Sequence, residues 1–174
     1  MKKDKTYEPQ NLTFSSLLAQ CPSDLYEYIQ TLKGVDQRRD MHPEGDVFTH
    51  TQTVTDRVAK YGNINLSIAA LMHDFGKDRT TEMNIKTGMP KSPNHQKYSA
   101  ECVRIWSQWI REMGAEPYVV YSLVLHHMDR DFTGHANTNV SLKMTEWLRQ
   151  QSWWSELEKL MDAAKVCSLG QITS

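Results

Sequence analysis

Cysteine is scarce in this chain of 174 residues, and its three copies, Cys21, Cys102 and Cys167, show no paired spacing. A disulfide-stapled scaffold and a cysteine-based zinc module are therefore not expected, and such cysteine usage suits a reducing cytoplasm. Excess charge of either sign is lacking too: the formal net charge is -1. No basic field is available to grip a long nucleic acid. No apolar run is long enough for a membrane span, and Met1-Lys2-Lys3-Asp4-Lys5 leads into polar residues, unlike a signal peptide. A Gly-rich phosphate loop of the P-loop type, internal repeats and low-complexity tracts are also missing. What remains is 39% hydrophobic and 24% charged residues, the balance of a globular protein large enough to bury a core without disulfides.

Histidine is what this chain has in a pattern. His50, the pair His73-Asp74, His95 and the pair His126-His127 follow one another along the chain, and Asp162 can close the series. Imidazole nitrogen and carboxylate oxygen are the donors that Mn, Fe, Co, Ni and Zn accept, and a carboxylate can bridge two ions. Leu66, Ala69, Ala70 and His73 obey the i, i+3, i+4, i+7 rule, so His73 is expected to face the core. Gly76 is expected to let the chain turn at that helix end, and Lys77 to hold a cation where a phosphate needs its charge neutralised. His50 shares a stripe with Val47, Val54 and Val58 on a second helix. The stretch between them accommodates a turn at Tyr61-Gly62-Asn63 and a helix running back. Thr80, Asn84, Gly88, Pro90, Pro93 and Asn94 then mark a loop that returns His95. Further on, Val120, Leu123, Val124 and His127 form one stripe while Val119, Leu123 and His126 form another. Periodicity does not choose between the two histidines. His42 and His135 read as surface or loop histidines, and Arg38, Arg39 and Arg79 as surface charge within reach of a phosphate.

Leu71-Met72-His73-Asp74-Phe75-Gly76-Lys77 resembles the signature of the HD-domain metal-dependent phosphohydrolases. His42-Pro43-Glu44-Gly45-Asp46-Val47-Phe48-Thr49-His50-Thr51 is similar to the opening segment of the HD domain attached to bacterial tRNA nucleotidyltransferases. The resemblance covers roughly residues 38 to 170. It implies an all-α fold, a helical bundle with a metal site between helices, binding one or two divalent transition ions. Carried over by position, it implies His50, His73, Asp74 and Asp162 as ligands of one ion. Asp162 is preferred to Asp129 and Asp131 because it lies on a helix among apolar neighbours. For a second ion it implies His95 and His126 or His127, with Asp74 as the bridge and Lys77 beside it. The implied chemistry is hydrolysis of a phosphomonoester or phosphodiester by metal-activated hydroxide, most naturally of a nucleotide, a cyclic nucleotide or a short nucleic-acid end. Nucleotidyl transfer is not expected. The alternatives are a di-iron oxygenase on the same scaffold and a metal-holding regulatory module without turnover.

The helical pattern places one N-terminal helix at about 15–33, interrupted near Cys21-Pro22 with Ser23 as cap. It then gives helices at 48–61, 66–75, 97–113, 117–127, 141–151 and 155–168, with few strand signals. Residues 1–37 are expected to form an extension with one helix packing on the bundle, and residues 38–174 the domain that carries the site. Val103, Trp106, Ile110 and Met113 form a core stripe, Leu142, Thr145, Trp147 and Leu148 a looser one, and Trp153-Trp154 reads as packing rather than a base-stacking platform.

Overall fold

The computed structural model describes residues 12–129 and 142–168. The expectations for Asp131, His135 and the segment after Asp129 lie outside the described residues. The N-terminal helix is two helices, α1 (Phe14–Leu18) and α2 (Ser23–Thr31), separated where Cys21-Pro22 interrupts the pattern. Pro22 occupies the cap position and Ser23 is already helical, so the expected serine cap is absent. Phe14, Leu17, Leu25, Ile29 and Leu32 belong to the same core as the later helices.

Next come α3 (Val47–Ala59) and α4 (Ile64–Met72), capped by Asp46, whose carboxylate accepts from Thr49 N at 2.8 Å, and by Asn63, which accepts from Leu66 N at 3.1 Å. The other Asp46 oxygen accepts from Gly34 N at 3.0 Å, which ties the segment before α3 to its start. A short α5 (Lys77–Thr80) follows. The expected return loop then contains a two-stranded antiparallel ribbon, β1 (Glu82–Asn84) and β2 (Met89–Lys91), with Met83 opposite Pro90. Gly88, at φ 65°, donates to Asn84 O at 2.8 Å and closes the turn, which a loop rich in turn formers only hinted at.

The single helix expected at 97–113 is also two, α6 (His95–Ile105) and α7 (Ser107–Glu112), broken at Trp106 with φ -100° and ψ 23°. The Trp106 indole donates to Asp24 Oδ2 at 3.0 Å. The apolar stripe of Val103, Trp106 and Ile110 continues across the break, so periodicity could not reveal it. The series closes with α8 (Pro117–His126), α9 (Leu142–Arg149) and α10 (Trp154–Ser168). On α9 Thr145 and Leu148 are buried, but Trp147 is exposed. Trp153 is buried, and its ring stacks on His126 with centroids 5.8 Å apart.

Helix α4 is the axis of this all-α bundle. Every residue from Leu66 to Lys77 is buried, and α4 packs against α3, α6, α8 and α10. A helix apolar on all sides belongs at the centre, so the polar residues at its C-terminal end are delivered to the middle of the protein. Among the described residues no helix is long and apolar enough to cross a membrane.

Candidate metal centre

Four helices bring side chains to one carboxylate. His50 comes from the first turn of α3, His73 and Asp74 from the end of α4, His95 from the first residue of α6, and His127 from the cap position of α8. All five are at least 94% buried by relative exposure, from 1% to 6%. The carboxylate divides them. Asp74 Oδ2 lies 3.6 Å from His50 Nε2 and 3.3 Å from His73 Nε2, whereas Oδ1 lies 3.1 Å from His95 Nε2 and 3.7 Å from His127 Nε2.

The other nitrogen of each ring settles the tautomer. Nδ1 of His73 donates to Ala70 O at 2.7 Å, that of His95 to Ser92 O at 2.8 Å, that of His127 to Val124 O at 2.6 Å, and that of His50 to Glu44. A carbonyl or a carboxylate accepts only, so each neutral ring keeps its proton on Nδ1 and turns a bare Nε2 lone pair toward Asp74. Burial pushes the His50 and His127 imidazoles down to about 4, against the pull of Glu44 on His50 and of Asp74 on both. Both are neutral ligands at neutral pH. Burial would raise the Asp74 carboxyl, but positive charge beside it, that of the Lys77 ammonium included, outweighs burial and holds Asp74 well below the usual carboxylate range.

Lone pairs aimed at lone pairs need a cation. His95 Nε2 and His127 Nε2 face each other at 3.2 Å, and the buried His73 Nε2 has no hydrogen-bond partner. Each such orphan costs roughly 1–3 kcal/mol unless something fills it. The ligand atoms of His50, His73 and Asp74 fall within 4.8 Å of one another, as do those of Asp74, His95 and His127. Each of the two groups, one on either side of Asp74, could therefore hold a divalent ion.

Lys77 is buried rather than a free surface lysine. Its ammonium sits 2.8 Å from Asp74 Oδ2 and donates to Gln37 Oε1 at 2.7 Å. Gly76 serves a purpose other than the expected turn. Its φ is -66°, which any residue adopts, but a Cβ there would stand 2.3 Å from His95 O and 2.9 Å from Ser99 N. The glycine lets the end of α4 touch α6, and its N–H donates to Ser99 Oγ at 2.8 Å. Close approach places His95 against Asp74. Asn94, at φ 58°, turns the chain into α6 just before His95, a conformation asparagine tolerates.

Two expected ligands are not brought in. His126 faces away, its Nδ1 on Asp129 Oδ2 at 2.6 Å and its ring between Trp147 and Trp153, so His127 is the α8 histidine at the centre. Asp129 is thereby engaged as well. Asp162 lies on the exposed face of α10, where Leu157, Leu160 and Met161 take the inner face. Apolar neighbours in sequence told that Asp162 is on an amphipathic helix, not which face it occupies. Two residues outside the histidine series join the site: Glu44 behind His50, and Gln37, which is 4% exposed and has a buried, unpartnered Nε2. Glu44 stood in the segment that carried the resemblance; no periodicity marked Gln37. His42, read as a surface histidine, lies edge-on to His50 at 4.7 Å. A cleft of about 270 Å³ opens beside the centre, walled by Gln37, Arg38, His42, Lys77, Lys91 and His95 among others.

Buried imidazoles paired across a shared carboxylate within a helical bundle are a donor set that could hold divalent metal ions. A match to the HD domain family spans residues 47–167, and the chain belongs to that family, a superfamily of metal-dependent phosphohydrolases. It is similar to the multifunctional CCA proteins of Burkholderia cenocepacia (strain HI2424) and Burkholderia vietnamiensis (strain G4), each 38% identical over 77 residues, covering 44% of this chain and 18% of the relative. That of Cupriavidus necator (strain H16) is 37% identical over 83 residues, covering 44% of this chain and 19% of the relative. The chain thus spans less than a fifth of the length of these relatives. The resemblance to HD domains, and to the one attached to bacterial tRNA nucleotidyltransferases, holds. No solved structure matches the chain.

Proposed function

We propose that this protein hydrolyses a phosphomonoester or phosphodiester of a nucleotide, a cyclic nucleotide or a short nucleic-acid end, with divalent transition ions held by His50, His73, Asp74, His95 and His127. The observation that carries this reading is the division of Asp74, one oxygen facing each histidine pair. Ions held there would supply Lewis acidity and lower the pKa of bound water toward neutrality.

The chain's own residues supply orientation and charge. Asp74 holds both halves in register, and the Nδ1 hydrogen bonds keep every imidazole from swinging away. Lys77, fixed by Gln37, neutralises Asp74 from the side and forms part of the cleft wall, where a phosphate oxygen meets positive charge. Arg38 and Lys91 stand farther out, already paired with Asp40 at 2.6 Å and Glu82 at 2.9 Å, so they exchange partners with an incoming anion at small cost. The cleft admits a small phosphorylated molecule or a chain end rather than a duplex. The likeness to one part of the multifunctional CCA proteins supports a nucleotide or RNA-end phosphate. A cytoplasmic setting fits the unpaired Cys21 and Cys102.

The oxygenase alternative rested on a six-ligand set, and with Asp162 on the outer face of α10 no observation favours it over hydrolysis. The test is phosphate release from nucleotides, 2',3'-cyclic nucleotides and generic phosphodiesters, using protein stripped and reloaded with Mn, Co, Ni, Zn or Fe, beside Asp74→Ala. Turnover by the wild type and at least a hundredfold loss in the variant is the expected result. Undiminished turnover in Asp74→Ala sinks the proposal, and oxygen consumption by the iron form without phosphate release moves the site to oxidative chemistry.

A further inference from the structure

Resting on the reading of a two-ion centre, we propose that Glu44 is a positioning residue that sets metal affinity on the His50 side of Asp74 alone. Three of the four imidazoles give their Nδ1 proton to neutral backbone carbonyls, those of Ala70, Ser92 and Val124. His50 alone gives it to a carboxylate.

The backbone is arranged to deliver that carboxylate. Gly45 holds φ 104°, a conformation that L side chains rarely adopt, and its N–H donates to His42 O at 3.1 Å. The chain therefore folds back between His42 and the Asp46 cap of α3, and the Glu44 side chain returns over the first turn of the helix to reach His50. The Glu44 side chain is 13% exposed, and His42 Nδ1 lies 3.4 Å from the same oxygen, so the carboxylate sits between two imidazoles rather than in bulk water. Burial would favour its neutral form, but the His42 ring beside it and the hydrogen bond from His50 keep it ionised.

An anionic acceptor on Nδ1 draws that proton more strongly than an amide carbonyl does. It leaves more electron density on Nε2 and fixes the ring plane. The effect reaches the ion that His50 faces, not the one between His95 and His127, which lie on the other Asp74 oxygen.

The measurement is competition between the protein and a chromophoric chelator for Mn or Zn, in wild type, Glu44→Gln and Glu44→Ala. Glu44→Gln keeps an acceptor of the same shape and removes only the charge. The wild type is expected to bind two equivalents. Glu44→Ala is expected to weaken one of them by about 10–100-fold and leave the other unchanged, with Glu44→Gln between. In the His50→Ala background, Glu44→Ala is expected to add nothing. A readout that packing alone does not move is the Nδ1 proton resonance of His50 in the metal-free protein, which is expected to shift upfield in Glu44→Gln while those of His73, His95 and His127 stay. Equal weakening of both equivalents, or of neither, overturns the role of Glu44 while leaving the centre intact. A wild type that binds no ion overturns both.

Discussion

The two sides of Asp74 are built differently. His50 and His73 stand on α3 and α4, helices capped by Asp46 and Asn63, and His50 is backed by Glu44. His95 and His127 stand at the ends of α6 and α8, both backed by carbonyls as His73 is by that of Ala70, with the β1–β2 ribbon leading into His95. Both sides belong to one core. Their contact depends on one position where there is no room for a side chain. The comparison teaches that a shared ligand is only as good as the helix packing that presents both of its oxygens.

The hardest blow to that arrangement is Gly76→Ala. A Cβ 2.3 Å from His95 O forces α6 off the end of α4, and we expect a loss of about 3 kcal/mol or more in denaturant unfolding, with His95-side binding lost first. A stable variant retaining two equivalents of metal would break the account of how the sides meet. Next in size is the contrast between the adjacent histidines. His127→Ala is expected to remove one equivalent of metal, whereas His126→Ala keeps both and costs about 1 kcal/mol from the lost Asp129 bond and Trp153 stacking. The reverse pattern of metal loss would reassign the α8 ligand.

Acid probes both sides at once, because each has one imidazole near 4. Their pKa values lie below the unfolded value of about 6.5, so between those limits the unfolded chain holds more protons. The metal-free fold therefore keeps this contribution above about pH 6.5 and loses stability as pH falls from there toward 4. A urea midpoint identical at pH 7.5 and pH 5 would contradict that burial. The smallest effect is reserved for Asp162→Asn, expected to change stability by less than about 0.5 kcal/mol and metal content not at all. Loss of an equivalent there would restore Asp162 to the centre.

Much of this was legible before any coordinates. The helical class, the inward faces of His50 and His73 and the return of the chain at His95 follow from 3.6-residue periodicity and turn chemistry, which are local. Asp162 shows the limit: being on an amphipathic helix is a local property, but which face meets the centre depends on how α10 docks on α3 and α4. His126 and His127 were indistinguishable because both continued apolar stripes on α8, which carries Val119 and Leu125 besides the buried Val120, Leu123 and Val124. The break at Trp106 is a tertiary event, tied to a hydrogen bond with Asp24 far along the chain. Gln37 and Glu44 entered through the segment before α3, held by Asp46, and no period governs such a segment.

The central claim is that Asp74 is shared by two ions. The most direct test is anomalous diffraction from crystals loaded with Mn, collected near its absorption edge. The account predicts two peaks, one within bonding distance of Asp74 Oδ2, His50 and His73, the other of Asp74 Oδ1, His95 and His127. A single peak on one side, or density at Asp162, would contradict it.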